Sequence, residues 1–308
     1  MNKKQIIKQL AGIVTLFAAA LLLSGGSALA QDRRAQVEVE LLTDTDRLVP
    51  GEKFRLGLLF KITPGSHIYW INPGDAGLAP KIEWKLPEGF RSGPVFWPAP
   101  QRMEEPGGLL VNVYTEEVML FCWVLPPQRI ENSSVSLKAH AEWLVCRKIC
   151  VQESAEATLE LPVGSAHGKT SPGEDIFSRY IARVPRPASE FSALRSDAHW
   201  LRKIQQPQET RTGVIVLESL AENSMWLTGD NDYQWFGYPS EYLASGEIHY
   251  DPAPSSSQRL VFRLEVRKLD AASAWPAKWG GVLTARLVKA GADTVNYPLS
   301  LSFTEQAR

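Results

Sequence analysis

Cysteine is scarce in this chain: 308 residues hold three of them. That excludes a small fold stapled by many disulfides, and a chain of this length can bury apolar cores without such staples. The odd count leaves at least one thiol over. Long apolar runs are missing after the first thirty residues, so no later segment reads as a membrane-spanning helix. An excess of one charge is missing too. The 33 Lys and Arg are matched by 34 Asp and Glu, and no basic run stands out, which argues against a nucleic-acid partner. No G-x-S-x-G, phosphate-binding glycine loop or paired-carboxylate signature is present, and no cofactor is expected.

The N-terminus reads as a targeting segment. Lys3, Lys4 and Lys8 precede an apolar stretch over residues 10–23, Gly25 and Gly26 break it, and Ala28-Leu29-Ala30 has the A-x-A form of a cleavage site. A signal peptide over residues 1–30, cleaved after Ala30, predicts an exported protein that does not itself span a membrane. No cysteine follows the apolar run, so no lipid anchor is expected.

Ten Trp, 21 Pro and many short alternating runs predict an all-β protein with irregular loops. Val37, Val39 and Leu41 alternate with polar residues, as do residues 54–60. Both runs read as half-buried strands. Residues 96–108 read as a long non-periodic loop, and residues 118–124 as a near-continuous apolar strand whose Cys122 is a buried, inert thiol. A polar, glycine-rich linker follows, and Glu174 opens a short helix with Ile176, Phe177, Tyr180 and Ile181 on one side. The alternating runs at 214–217, 260–266 and 295–303 then predict further strands without crossover helices. The expected organisation is a signal peptide (1–30), a first immunoglobulin-like sandwich (31–165), a linker with the helix (166–187) and a second sandwich (188–308). His167, His199 and His249 are isolated and receive no role. Trp226, Trp235, Trp275 and Trp279 read as core or edge packing rather than a carbohydrate platform.

The chemistry concentrates at Cys146 and Cys150. Val135, Leu137, Ala139, Ala141 and Trp143 form one face of a strand, and Cys146 has the parity of the opposite, polar face. Ala155, Ala157, Leu159 and Leu161 mark a returning strand, so the pair sits at the turn of a hairpin. Opposed residues on antiparallel strands lie within disulfide range. So short a ring contributes little loop entropy, which argues against a purely structural staple, and Arg147 and Lys148 between the sulfurs favour thiolate. A structural hairpin disulfide is the alternative. A metal is the minority reading: two thiolates with His140 or Met103 suit Cu(I), whereas zinc needs two more ligands that no sequence spacing supplies. Upstream, Asn72-Pro73-Gly74-Asp75 is turn chemistry, with Asp75 read as a turn residue or as an acid–base group tuning a thiol. The rings of His67, Tyr69 and Trp70 read either as core or loop packing or as a cover over the pair.

These motifs together resemble a known family. His67-Ile68-Tyr69-Trp70, the run from Asn72 to Gly77, residues 84–90, Trp97-Pro98-Ala99-Pro100 and Trp143 with Cys146 and Cys150 are similar to the N-terminal periplasmic domain of the thiol:disulfide interchange protein DsbD. Within that family the chain looks most like the ScsB branch, linked to suppression of copper sensitivity. The resemblance covers about residues 35–165. It implies an immunoglobulin-like sandwich in the periplasm whose pair, Cys146 and Cys150, passes electrons from a membrane donor to thioredoxin-like partners. Residues 101–110 fall where the family caps the disulfide, making Met103, Glu104 and Leu109 shielding candidates, with His67, Tyr69 and Trp70 flanking. Two features depart from the pattern. Val151 and Gln152 follow Cys150 where a proline is usual, and the chain stops at Arg308 without the membrane and thioredoxin domains. A separate membrane protein is therefore expected as the electron donor. The alternative is a non-enzymatic interaction module with a structural disulfide, related to copper.

Overall fold

The computed structural model describes residues 35–165, 173–201, 209–221, 224–229, 232–276, 278–289 and 294–304. The expected signal peptide, most of the glycine-rich linker and His167 lie outside these residues. The described residues are all-β apart from short helices. Among the described residues no helix is long and apolar enough to cross a membrane.

Two sheets build the first sandwich. One contains β1 (Val37–Thr43), β2 (Phe54–Ile62), β8 (Glu117–Leu125) and β5 (Arg91–Ser92), in the order β1-β2-β8-β5. The other contains β3 (His67–Gly74), β4 (Lys81–Lys85), β6 (Gln101–Glu105), β7 (Leu109–Tyr114), β9 (Ser134–Cys146) and β10 (Cys150–Pro162), in the order β10-β9-β3-β7-β6, with β4 beside β9. All these pairs are antiparallel. Period-two alternation along β9 sends Leu137, Ala139, Ala141, Trp143 and Val145 into the space between the sheets. Trp143 meets Phe60 of the facing sheet edge-on at 5.4 Å.

Strands β2 and β8 read as continuous apolar runs because both of their faces are covered. Leu56 and Cys122 pair across them in the core, while Met119 and Phe121 take the outer face. There the helix α1 (Glu174–Ile181) lays Phe177 against Phe121 at 5.7 Å. Burying a Phe side chain of this kind contributes about 2–3 kcal/mol. The helix begins at the expected Glu174, with Gly173 as its N-cap.

The second sandwich comprises β11 (Leu194–Trp200), β12 (Thr210–Ser219), β13 (Ser224–Trp226), β14 (Tyr233–Gly237), β15 (Leu243–Tyr250), β16 (Arg259–Lys268), β17 (Lys278–Lys289) and β18 (Thr294–Thr304). β11, β12, β16 and β15 form one antiparallel layer, and β13 and β14 pair with β17, which pairs with β18, in the other. Among the described residues, a parallel pairing of His199 with Thr304 joins the layers. Ile215, Phe262, Leu264, Trp235, Leu283 and Phe303 meet between them. Trp226, Trp235 and Trp279 are buried, and Trp200, half-buried, stacks on Phe303 at 4.7 Å. Trp275 is half-buried as well and meets Trp200 edge-on, so these rings pack against one another.

The two sandwiches share an apolar contact. Trp70 of β3 is buried against Phe236 and Tyr238, each ring 6.1 Å away. Asn72 Nδ2 donates to the Gly237 carbonyl at 2.8 Å, and an Arg102 guanidinium N–H donates to the Trp235 carbonyl at 2.6 Å.

The expected loop over residues 96–108 is corrected by the structure. Its second half is the hairpin of β6 and β7, closed by Gly107 and Gly108 at positive φ. The five residues of β6 are mostly charged or polar, so the strand has too few apolar positions to show an alternation.

Candidate redox site behind the β6–β7 hairpin

Cys146 ends β9 and Cys150 begins β10. They are register partners with Cα atoms 4.1 Å apart, and the sulfurs are bonded. Residues 147–149 make the turn, with Arg147 N–H donating to the Ile149 carbonyl. The predicted parity holds, since Cys146 points away from the core that Trp143 and Val145 enter. It is nonetheless buried at 3 % exposure, because the outer face of this sheet is not bare. Tyr69, Val111, Val113 and Cys146 form a small apolar cluster there, with Met103 against it. Cys150, by contrast, is exposed.

The register explains who the neighbours are. His67 pairs directly with Cys146 across β3 and β9, and Tyr69 lies two residues on, on the same face. Tyr69 Oη sits 3.0 Å from Cys146 Sγ and 3.9 Å from Cys150 Sγ. Its proton also faces Glu105 Oε1 at 3.1 Å, and the same carboxylate oxygen lies 2.9 Å from His67 Nε2. Burial, then the Glu105 carboxylate, hold the Tyr69 phenol well above the ordinary tyrosine range. At neutral pH it is therefore a donor.

By ladder register alone, Glu105 would lie far from His67, at the opposite end of the hairpin. A register shift between Tyr69 and Gly74 bends β3, and the hairpin curls back across the sulfurs. Asp75 holds that curl. Its carboxylate accepts the Leu110 N–H at 2.9 Å, while its own N–H donates to the Leu110 carbonyl at 3.0 Å. Asp75 is thus a clamp on the hairpin, 35 residues away in sequence. Gly77 has φ +101, and a Cβ there would run into the Tyr69 ring. The loop ending at Gly77 is therefore shaped to let Tyr69 lie over Cys146.

The predicted site residues divide. His67, Tyr69, Met103, Glu104, Cys146 and Cys150 border or underlie one open groove of about 900 Å³. Within it Glu104 points outward and exposed, and Glu105, one residue on, carries the contacts. The signal was available as parity: Met103 and Glu105 share a face of β6. Trp70 faces the opposite way, into the main core and the second sandwich, and Leu109 is exposed near the hairpin tip. His140 lies six residues back along β9, about 20 Å from the pair by strand rise, beside Glu142 and Glu156. His199 pairs with Asp197, far from this site in the fold. Cys122 is buried between the sheets, and burial pushes its thiol up to about 12.

Residues 38–162 match the family model of the thiol:disulfide interchange protein DsbD, N-terminal. The match falls on the first sandwich, which is similar to the DsbD N-terminal family over those residues. The fold is similar to the N-terminal periplasmic domain of ScsB from Proteus mirabilis, with a TM-score of 0.57 at 16% identity, covering 90% of this chain and 97% of that one. The Neisseria meningitidis DsbD N-terminal domain in its reduced form covers 42% of this chain and 90% of its own, at 12% identity and a TM-score of 0.26. A search of curated proteins finds no match. The DsbD N-terminal assignment thus falls on the segment that carries the bonded pair, and the ScsB likeness extends the fold correspondence over both sandwiches.

Proposed function

We propose that this is an exported, periplasmic thiol–disulfide exchange protein, acting through Cys146 and Cys150. A separate membrane donor reduces the pair, and thioredoxin-like periplasmic proteins take the electrons. The observation that carries this reading is the asymmetry of the disulfide: Cys150 is exposed in the groove, while Cys146 is buried under a phenol that donates to its sulfur.

A donor thiolate attacks Cys150 Sγ, the S–S bond breaks, and Cys146 leaves as a thiolate that accepts the Tyr69 O–H. A second donor thiol then breaks the mixed disulfide at Cys150, and both cysteines are reduced at the cost of two donor thiols. In the other half-reaction the Cys150 thiolate attacks a partner disulfide. Cys146 attacks Cys150 Sγ in turn, and the partner leaves as a dithiol. The exposed Arg147 and Lys148 favour the thiolate at Cys150, and exposed Ile149 offers an apolar contact beside it. Met103, Glu105 and the hairpin limit the approach to one side of the pair.

Two measurements test this. The reduction potential of the pair is expected above about −300 mV. A Cys146→Ser chain is expected to accumulate a mixed disulfide through Cys150 with periplasmic thioredoxin-like proteins, and Cys150→Ser is not. A lower potential together with no trapped partner would mark a structural bond and favour the interaction-module reading.

A further inference from the structure

The zinc reading failed on the sequence for want of two ligands. The fold brings in two. His67 Nε2, a Glu105 carboxylate oxygen and Cys146 Sγ all lie within 4.8 Å of one another. Neither His67 nor Glu105 stands at a metal-ligand spacing from the cysteines, since they arrive on β3 and β6. We propose that the reduced Cys146–Cys150 pair, with His67 and Glu105, binds one zinc(II) ion, and that formation of the disulfide expels it. The proposal rests on the pair being reducible, as the exchange reading requires.

The donor set is two thiolates, one imidazole nitrogen and one carboxylate oxygen, a complete tetrahedral complement. With zinc–ligand bonds of about 2.0–2.3 Å, tetrahedral ligand atoms lie about 3.3–3.8 Å apart. His67 Nε2 and Glu105 Oε1 are already at 2.9 Å, and small side-chain rotations bring the set into range. Cys150 is bonded to Cys146 in the disulfide and is a register partner at the same strand end, so reduction frees its sulfur beside the other ligands. Tyr69 Oη, 3.0 Å from Cys146 Sγ and 3.1 Å from Glu105 Oε1, is placed to hydrogen-bond a ligating thiolate or carboxylate. The groove leaves an open path to the sulfurs.

Charge explains why the ion would be held only by the reduced form. Two thiolates beside the Glu105 carboxylate repel one another in a partly buried site, so without metal the reduced pair does not carry both negative charges at once. Zinc displaces the protons that remain and neutralises two of the three negative charges. The disulfide carries no charge and offers no thiolate, leaving only His67 and Glu105, too few for a structural site. With oxidised glutathione as oxidant the step balances: the zinc dithiolate and one glutathione disulfide give the protein disulfide, free zinc(II) and two glutathione thiolates. The carboxylate is what points to zinc. Cu(I) would take the two thiolates with the Met103 thioether and leave Glu105 aside.

The test uses the full mature chain, reduced with a phosphine, its thiols counted, then titrated with zinc(II) against a chromophoric chelator. The reduced chain is expected to hold one zinc and to release protons on binding it, and the oxidised chain to hold none. Cobalt(II) in place of zinc is expected to give thiolate charge-transfer and tetrahedral d–d bands. His67→Ala and Glu105→Gln are each expected to weaken zinc binding by roughly tenfold or more. Glu104→Gln, on the exposed side, leaves it unchanged. Zinc binding that survives both substitutions, or a chain with Cys146 and Cys150 both free that ignores zinc, overturns the proposal and leaves the exchange reading standing. Retention of Cu(I) alone, lost in Met103→Leu, overturns it in favour of copper. A pair that yields no thiols under reductant sinks both readings.

Discussion

Tyr69 is a hydrogen-bond donor to sulfur, and the effect is measurable. On the exchange reading its hydroxyl is expected to stabilise a Cys146 thiolate, a hydrogen bond to a charged acceptor worth about 1.5–3 kcal/mol. Tyr69→Phe is expected to raise the Cys146 thiol pKa by about one to two units, read from thiolate ultraviolet absorbance during a pH titration. A pKa unchanged by the loss of the hydroxyl would remove Tyr69 from the chemistry. Cys122 shows the opposite environment. Burial raises its thiol from 9.0 to about 12, so the folded protein keeps the proton after the unfolded chain has lost its own. The resulting stability term is whole below pH 9 and declines as pH rises from there to about 12. Unfolding midpoints of the native chain are therefore expected to fall faster above pH 9 than those of Cys122→Ala. Tyr69 and Tyr180, also raised by burial, add a loss of the same sign at higher pH in both proteins.

At the scale of elements, the hairpin of β6 and β7 is held from two sides. Asp75 clamps its inner strand at Leu110, and Arg102 ties its edge strand to the second sandwich. Burial lowers the Arg102 pKa, and its guanidinium lies 5.3 Å from the Phe236 ring as well as on the Trp235 carbonyl. Removing it leaves that carbonyl unpaired. Arg102→Ala is expected to cost about 1–3 kcal/mol and to raise hydrogen exchange across residues 101–114 more than elsewhere. Uniform exchange across both sandwiches would show that the tie is not local to the hairpin. The neighbours on β6 then divide their tasks by parity: Arg102 reaches the second sandwich, while Met103 and Glu105 face the sulfurs.

For the whole molecule, the contact at Trp70 makes the two sandwiches partners in stability. Phe236 and Val282 of the second sandwich belong to the apolar cluster of the first. Heating is expected to unfold both in one calorimetric transition. Trp70→Ala, at about 3–5 kcal/mol for a buried Trp, is expected to split it into two. Two transitions already present in the native chain would mean that the contact adds little. Through β3 the same strand presents Tyr69 to the disulfide and Trp70 to the second sandwich, so the orientation of that sandwich and the cover over the sulfurs share one backbone.

The sequence by itself determined the β architecture, the register of the cysteine hairpin and the face on which Cys146 lies. Each follows from local period-two alternation, which side-chain direction in a strand obeys without reference to the rest of the fold. It also marked His67, Tyr69 and Met103, because a family's motif carries them in order. Only the tertiary structure decided that Glu105 rather than Glu104 meets His67, that Trp70 turns away from the sulfurs, and that residues 101–114 form a hairpin. Those depend on a bend in β3 and on contacts between residues more than thirty positions apart, and no local pattern encodes how far a strand will bend. The scarce cysteines located the site, but what surrounds them was settled by the closing of three separate strands around one pair of sulfurs.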